Sequence, residues 1–161
     1  MIEQWPAALE ATEFATALRN SVWSYPLVNA AHILGVALLV GSIVPLDLRL
    51  LGAWRSVPLA TLWGVLTRIA GAGLVLAMIF GILLFITRAS EYTASNLFIS
   101  KMVVVALGTA NALALRMLMP AQVSEITATH GKPSARLQLA AGISLATWLT
   151  ALILGRLIGY F

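Results

Sequence analysis

Four long apolar stretches, separated by short polar segments, dominate the chain. They cover residues 22–44, 62–86, 97–118 and 135–158. Each stretch is long enough to cross a bilayer, because a membrane-spanning α-helix needs about 20 predominantly apolar residues. A helix also satisfies its own backbone hydrogen bonds, which lipid cannot do. We therefore expect an all-α protein, an integral membrane four-helix bundle formed by a single domain over residues 1–161.

The segment before the first span has an amphipathic pattern instead. Over residues 2–20 it combines two sets of side chains, the apolar Trp5, Leu9, Phe14 and Leu18 and the acidic Glu3, Glu10 and Glu13. This pattern predicts a short N-terminal helix that lies in the membrane interface. The segment lacks a basic start and an early apolar core, so we expect no cleavable signal peptide.

The composition agrees with a membrane protein and excludes several kinds of site. Only 10% of the 161 residues are charged and the mean hydropathy is +0.94, whereas a soluble domain carries about 25% charged residues. The chain has no cysteine, which excludes disulfides, thiolate metal sites and iron–sulfur clusters. Its pI is about 10.1, but the cations stand singly at helix ends rather than in a patch, so we expect no nucleic-acid partner.

The distribution of basic residues predicts an orientation. Four spans place both termini on the same side of the membrane. Lys and Arg are more frequent on the other side, with Arg49, Arg55, Arg68, Arg116, Lys132 and Arg136 against Arg19, Arg88, Lys101 and Arg156. Because positive loops stay in the cytoplasm, we expect a multi-pass protein of the bacterial inner membrane with both termini periplasmic.

Small residues recur at four-residue spacing in three of the spans. The rows are Gly73, Ala77 and Gly81 in the second span, Ala106, Ala110 and Ala114 in the third, and Ala151, Gly155 and Gly159 in the fourth. Such rows let membrane helices approach closely. One bundle accounts for all three rows, and some of them are also suited to contacts between copies of the chain, so we expect a homo-oligomer.

The first span carries a polar face near its middle. Tyr25, Asn29 and His32 lie on one side of the helix, and polar groups in a membrane helix must face protein, a cavity or a ligand. His32 has three interpretations: a neutral imidazole donating to a carbonyl or to Asn29, an axial ligand of a b-type haem, or a proton relay or substrate contact.

Lys101 poses a similar choice one turn into the third span. A lysine this close to a helix end is able to extend to the lipid headgroups. The alternative is a cation that holds an anion such as a haem propionate or a substrate carboxylate. At about 1.5 Å per residue, Lys101 and His32 differ in depth by about 9 Å, which suits a haem whose iron is at His32.

The end of the first span and the number of histidines restrict the alternatives. We expect Pro45 to stop or kink the first helix, which leaves Asp47 to pair locally with Arg49. The chain has two histidines and His130 falls in a polar loop, so the four ligands of a two-haem cytochrome b561 are missing. A single haem with His32 plus Met78, Met102 or Met117, or with an open position, fits. No catalytic residue is assigned, because no paired carboxylates, nucleophile–base arrangement or phosphate loop is present.

Several motifs carry a family resemblance over nearly the whole chain. They are His32-Ile33-Leu34-Gly35, Gly41, Asp47-Leu48-Arg49-Leu50-Leu51-Gly52, Gly81-Ile82-Leu83-Leu84-Phe85 and Asn96-Leu97-Phe98-Ile99-Ser100-Lys101. With them the chain resembles an uncharacterised bacterial family of small four-span membrane proteins. More distantly it resembles HemJ-type protoporphyrinogen oxidase and the CopD membrane domain of copper handling. The HemJ resemblance implies a haem-binding oxidase with an essential histidine and lysine at His32 and Lys101.

Two classes of function follow from these observations. The first is an inner-membrane protein that binds haem b through His32, with Lys101, Asn29 and Tyr25 around the cofactor and a redox role on a porphyrin, quinone or similar membrane-soluble substrate. The alternative is a non-enzymatic membrane subunit, which serves transport or metal handling or anchors a periplasmic partner. A Soret absorption band is expected only of the first.

Overall fold

The described chain is entirely helical. The computed structural model describes residues 4–118 and 133–160, and this part contains no β-strand. It has seven helices, α1 (Trp5–Glu10), α2 (Glu13–Asn20), α3 (Ser24–Leu51), α4 (Leu59–Thr87), α5 (Ala89–Ala94), α6 (Asn96–Leu118) and α7 (Ala135–Leu157). Four of them, α3, α4, α6 and α7, are long and apolar enough to cross a membrane. The predicted all-α fold with four membrane-length helices is confirmed.

The four long helices pack in the order α4, α3, α7, α6. Helix α3 contacts both α4 and α7, and α7 contacts α6. Within the described residues, no Cα atom of α4 comes within 8 Å of a Cα atom of α6. The backbones of the bundle therefore close on three sides and remain apart on the fourth. We call the end that holds α5 the α5 end, and the end where residues 52–58 link α3 to α4 the loop end.

Helices α3 and α4 touch backbone to backbone. A Cβ atom placed on Gly73 would lie 2.6 Å from the Leu39 nitrogen, and one placed on Gly35 would lie 2.9 Å from the Gly73 oxygen. These distances are shorter than any carbon side chain tolerates, so both positions require glycine. The small-residue row of the second span, Gly73, Ala77 and Gly81, thus faces α3 as a packing surface.

The other two rows of small residues behave differently. Ala106, Ala110 and Ala114 of α6 are all exposed, so this row does not pack inside the bundle. The close contact of α6 is made instead by Gly108, against Trp148 of α7. In α7, Ala151 is buried. The spacing alone does not distinguish an inward row from an outward one when both faces of a helix are apolar.

Helix α3 continues through Pro45, so of the two expected outcomes, a stop or a kink, the stop does not occur. It continues to Leu51, because the residues after the proline bury their side chains against neighbouring helices, and this packing outweighs the single hydrogen bond that proline removes. The helix ends at Gly52, which has φ +114°. The Gly52 and Ala53 amides donate to the carbonyls of Arg49 and Leu48 at 3.2 and 2.9 Å, a Schellman motif that needs glycine at the left-handed position.

The N-terminal segment forms two helices rather than the one predicted over residues 2–20. The chain breaks at Thr12, whose hydroxyl accepts from the Ala15 amide at 3.3 Å and so begins α2. Both helices pack on the α5 end. Arg19 donates to the Thr87 carbonyl at 3.1 Å, and Glu10 accepts from the Ser90 amide at 2.6 Å. These contacts tie the segment to the ends of α4 and α5.

Candidate functional site: the surroundings of His32

His32 lies half-buried at the contact between α3 and α4. Its Nδ1 is 2.8 Å from the Ala77 carbonyl oxygen. A carbonyl oxygen only accepts hydrogen bonds, so Nδ1 carries the hydrogen and donates it. In the neutral imidazole the lone pair is then on Nε2. Of the interpretations from sequence, the hydrogen bond to a carbonyl is present, and it leaves Nε2 free to bind another atom.

Gly81 makes room for the imidazole. A Cβ atom at Gly81 would lie 3.1 Å from Cε1 and 3.2 Å from Nδ1 of His32. The ring therefore rests on the bare backbone of α4, one turn beyond the Ala77 carbonyl to which it donates. Two residues of the same small-residue row thus hold the ring, one by its carbonyl group and one by its lack of a side chain.

The other two polar residues of this helix face do not join His32 in one cluster. Asn29 is exposed, and no hydrogen bond connects it to His32 in the described part of the chain. Tyr25 is half-buried two turns towards the α5 end, where its phenol interacts electrostatically with Arg88 and Tyr92. The helical spacing placed the three residues correctly along α3, but their surroundings differ.

Lys101 lies between α6 and α7. Its aliphatic chain crosses Gly155, where a Cβ atom would be 3.5 Å from Cε and 3.6 Å from Nζ. The ammonium group thus lies at the last turns of α7, where the helix dipole favours a cation. No hydrogen-bond acceptor for it is present among residues 4–118 and 133–160. Its charge is close enough to His32 for an electrostatic interaction.

The second cation at this end, Arg88, is already paired. Its guanidinium donates to the Glu91 carboxylate at 3.2 Å, and this hydrogen bond raises the pKa of Arg88. Both side chains are more than half exposed. Burial raises the pKa of the neighbouring Tyr92 phenol, which keeps it neutral at physiological pH. Lys101, rather than Arg88, is therefore the cation near His32 that lacks an acidic partner.

An apolar groove opens on the side where α4 and α6 stay apart. It has a volume of about 500 Å³ and is lined by Phe85, Thr93, Phe98, Ile99, Met102, Val103 and Ala106. Phe85 lies one turn after Gly81 on α4, but neither His32 nor Lys101 lines the groove. Stacked aromatic rings form its α5 end, with centroids 5.6 Å apart for Phe85 and Phe98 and 5.0 Å for Tyr92 and Phe98.

The candidate second ligands from sequence are dispersed. Met78 and Met117 are 54% and 75% exposed, whereas Met102 lines the groove. His130 lies outside the described residues. No group of three or more histidine, aspartate or glutamate side chains gathers in the described ranges. The described residues therefore offer one imidazole at this position and no cluster of three or more metal ligands.

The expected pairing of Asp47 with Arg49 is wrong. Because α3 continues past Pro45, residues two apart in sequence point to different sides of the helix. Arg49, 7% exposed, donates to the carbonyls of Val57 and Arg55 at 3.0 and 3.3 Å and fastens the loop after α3. Asp47, 3% exposed, turns inward, and its Oδ2 has no hydrogen-bond partner in the described structure.

Sequence reasoning therefore missed a second polar position, at the loop end of the bundle. Asp47 shares a cavity of about 120 Å³ with Ser144 and Trp148 of α7. The signal was present in the apolar neighbours of Asp47, since Leu46 and Leu50 continue the helical pattern of the first span beyond the proline.

No protein-family model, curated protein or solved structure matches this chain.

Proposed function

We propose that this protein binds haem b in the membrane, with Nε2 of His32 as an axial ligand of the iron. The observation that carries the proposal is the hydrogen bond from His32 Nδ1 to the Ala77 carbonyl. Histidines that bind metals generally donate their other ring nitrogen to a carbonyl or carboxylate, which fixes the tautomer and the ring orientation. His32 has this arrangement within a membrane helix, where an unused polar group is costly.

Other residues around His32 suit the remaining parts of a haem. Lys101 is an unpaired cation within electrostatic range of His32, and a propionate is the type of anion that it would hold. The apolar groove beside Phe85 and Met102 suits a flat, membrane-soluble molecule such as a porphyrin or a quinone. Bound haem would supply one-electron chemistry. A redox role on such a substrate is therefore the function that we infer.

The absorption spectrum of the purified protein tests this proposal. Protein from haem-replete cells should show a Soret band that His32→Ala abolishes, while the variant still inserts into membranes. Lys101→Ala should bind haem more weakly. The expected loss of binding free energy is that of one charge-assisted hydrogen bond, about 1.5–3 kcal/mol. His130→Ala is the matched control and should leave the band unchanged. A colourless wild-type protein would contradict the proposal and favour a non-enzymatic membrane subunit for transport, metal handling or anchoring.

We also propose the location and the assembly that the sequence predicts. The protein is placed in the bacterial inner membrane with both termini periplasmic, because the segments that follow the first and third spans carry more Lys and Arg. Reporter fusions at residue 161 and at residue 128 should then report periplasm and cytoplasm; a single compartment for both would contradict an even number of spans. The exposed row Ala106, Ala110 and Ala114 is the surface that we assign to a homo-oligomer.

A further inference from the structure

A cavity with a largely apolar wall lies at the loop end of the bundle, far from His32. All four long helices contribute to its wall, and its polar members are Asp47, Thr67, Thr109, Arg116, Ser144 and Trp148. An apolar cluster of Leu46, Leu50, Leu59, Leu115, Leu137 and Ala141 packs beside it. A second cluster, of Leu39, Ile43, Trp148 and Ala151, lies on the side towards His32. The second cluster therefore lies between the polar groups of this cavity and His32.

Two buried polar atoms of this cavity have no partner among the described residues. They are Oδ2 of Asp47 and Nε1 of Trp148, and both side chains are 3% exposed. Burying a polar group without a hydrogen bond is unfavourable. One of these atoms accepts hydrogen bonds and the other donates them, so whatever fills the cavity must offer both a donor and an acceptor.

The charged and hydroxyl groups around Asp47 do not supply this donor and this acceptor. The Ser144 hydroxyl of α7 hydrogen-bonds with the Asp47 carboxyl group but leaves Oδ2 without a partner. Thr67 of α4 already donates to the Trp63 carbonyl at 2.6 Å. Arg116 of α6 lines the cavity and is exposed. Arg49 on α3 itself is bound to the loop. Neither α4 nor α7 adds a charged group to the lining, and no ion pair to Asp47 forms within the ranges that the structure describes.

We propose that this cavity holds a cluster of water molecules that bridges Asp47 and Trp148, and that Asp47 binds a proton delivered by this water. Water donates to Oδ2 and accepts from the indole N–H at the same time. A water molecule needs at least about 10–15 Å³ of such volume, so the cavity of about 120 Å³ has room for several. A bare alkali cation would neutralise the carboxylate but would leave the indole N–H without a hydrogen-bond acceptor. An ionised carboxylate that forms no ion pair is costly within a membrane bundle, and the proton removes that charge.

The site is independent of the proposed haem function. Asp47 is 15 positions beyond His32 on α3, which corresponds to about 22 Å along the helix. The cluster that contains Leu39 and Ile43 lies between them. The proton-binding site would therefore persist in a His32→Ala protein, and a failure of either proposal leaves the other standing.

The sequence offers a probe that needs no substitution. Asp47 is the only aspartate of the chain, so carboxyl-labelled ¹³C-aspartate marks this one side chain. Infrared difference spectra of the labelled protein in lipid nanodiscs, recorded between about pH 4 and about pH 9, should show a protonated carboxyl band that shifts with the label. Transfer to D₂O should shift the same band, because water reaches the proton.

Substitutions and added salt test whether this band belongs to a protonated Asp47 in contact with water. Asp47→Asn should remove the band, and Trp148→Phe should change its frequency because a hydrogen bond to the water cluster is lost. Glu91→Gln, which alters an exposed carboxylate, is the matched control and should leave the band unchanged. The proposal is overturned if the labelled carboxyl shows no protonated band in this pH range, or if transfer to D₂O does not shift that band. Loss of the band on adding sodium at constant pH would assign the site to an alkali cation and overturn it equally.

Discussion

The surroundings of His32 and of Asp47 show how one helix carries two different polar positions. Both residues belong to α3. His32 lies against the glycine face of α4, is half-buried and has one hydrogen bond. Asp47 lies where all four long helices meet, is 3% exposed and has an oxygen without a partner. The difference comes from the neighbouring helices and not from the local sequence, which is apolar around both residues.

The two regions also differ in how they meet the lipid. Near His32, the separation of α4 and α6 leaves an apolar groove of about 500 Å³ open on one side. Near Asp47, leucines from α3, α4, α6 and α7 close the bundle. The groove is open to a flat ligand from the membrane, whereas only small molecules fit the cavity beside Asp47. The two proposals, of cofactor binding in the open region and of proton binding in the other, follow this difference.

The largest loss of stability is expected from breaking the backbone contact between α3 and α4, which both regions share. Gly73→Leu places a side chain where even a Cβ atom would be 2.6 Å from the Leu39 backbone. Helices α3 and α4 must then separate, at a cost at or above about 3 kcal/mol. Gly64→Leu in the same helix, where nothing lies within 4 Å, is the control. Thermal unfolding in mild detergent should show a large loss for the first variant only; equal stabilities would contradict the backbone contact.

A smaller effect, confined to the closed region, is expected from Arg49→Gln. This variant loses the charged hydrogen bonds to the Val57 and Arg55 carbonyls and should destabilise the protein by about 1.5–3 kcal/mol. Haem binding per folded molecule should stay unchanged, because the loop end does not contact His32. Arg55→Gln, at an exposed position, should have little effect on the unfolding temperature. If the two variants unfold alike, Arg49 does not fasten the loop.

These differences also mark how far the sequence alone is informative. The number of membrane-length apolar helices and the packing role of Gly73 and Ala77 follow from apolar length and residue spacing, and both are confirmed. The continuation of α3 past Pro45 and the inward turn of Asp47 were not predicted. A proline in the sequence indicates only that one helical hydrogen bond is lost, whereas continuation of the helix depends on burial of its later residues against α4 and α7. In the same way, spacing placed Asn29 beside His32 on α3 but gave no information on which neighbours each would meet.

The smallest substitution concerns the open region. Gly81→Ala adds one methyl group about 3.1 Å from the His32 ring and should tilt the imidazole away from the Ala77 carbonyl. Loss of such a supporting hydrogen bond typically weakens metal binding by about 10–100-fold, with the fold retained. Gly64→Ala is the matched control. Haem titration of the two proteins measures the difference, and equal affinities would show that Gly81 does not support the ligand.

The most direct test of the central claim is whether a nitrogen of His32 bonds to haem iron. The chain has only two histidines, so a His130→Ala protein labelled with ¹⁵N-histidine carries the label at His32 alone. Pulsed electron paramagnetic resonance of the oxidised, haem-loaded protein should then show a ¹⁵N hyperfine coupling to the iron, as expected for Nε2 as an axial ligand. A haem-loaded protein without this coupling would contradict the assignment of His32.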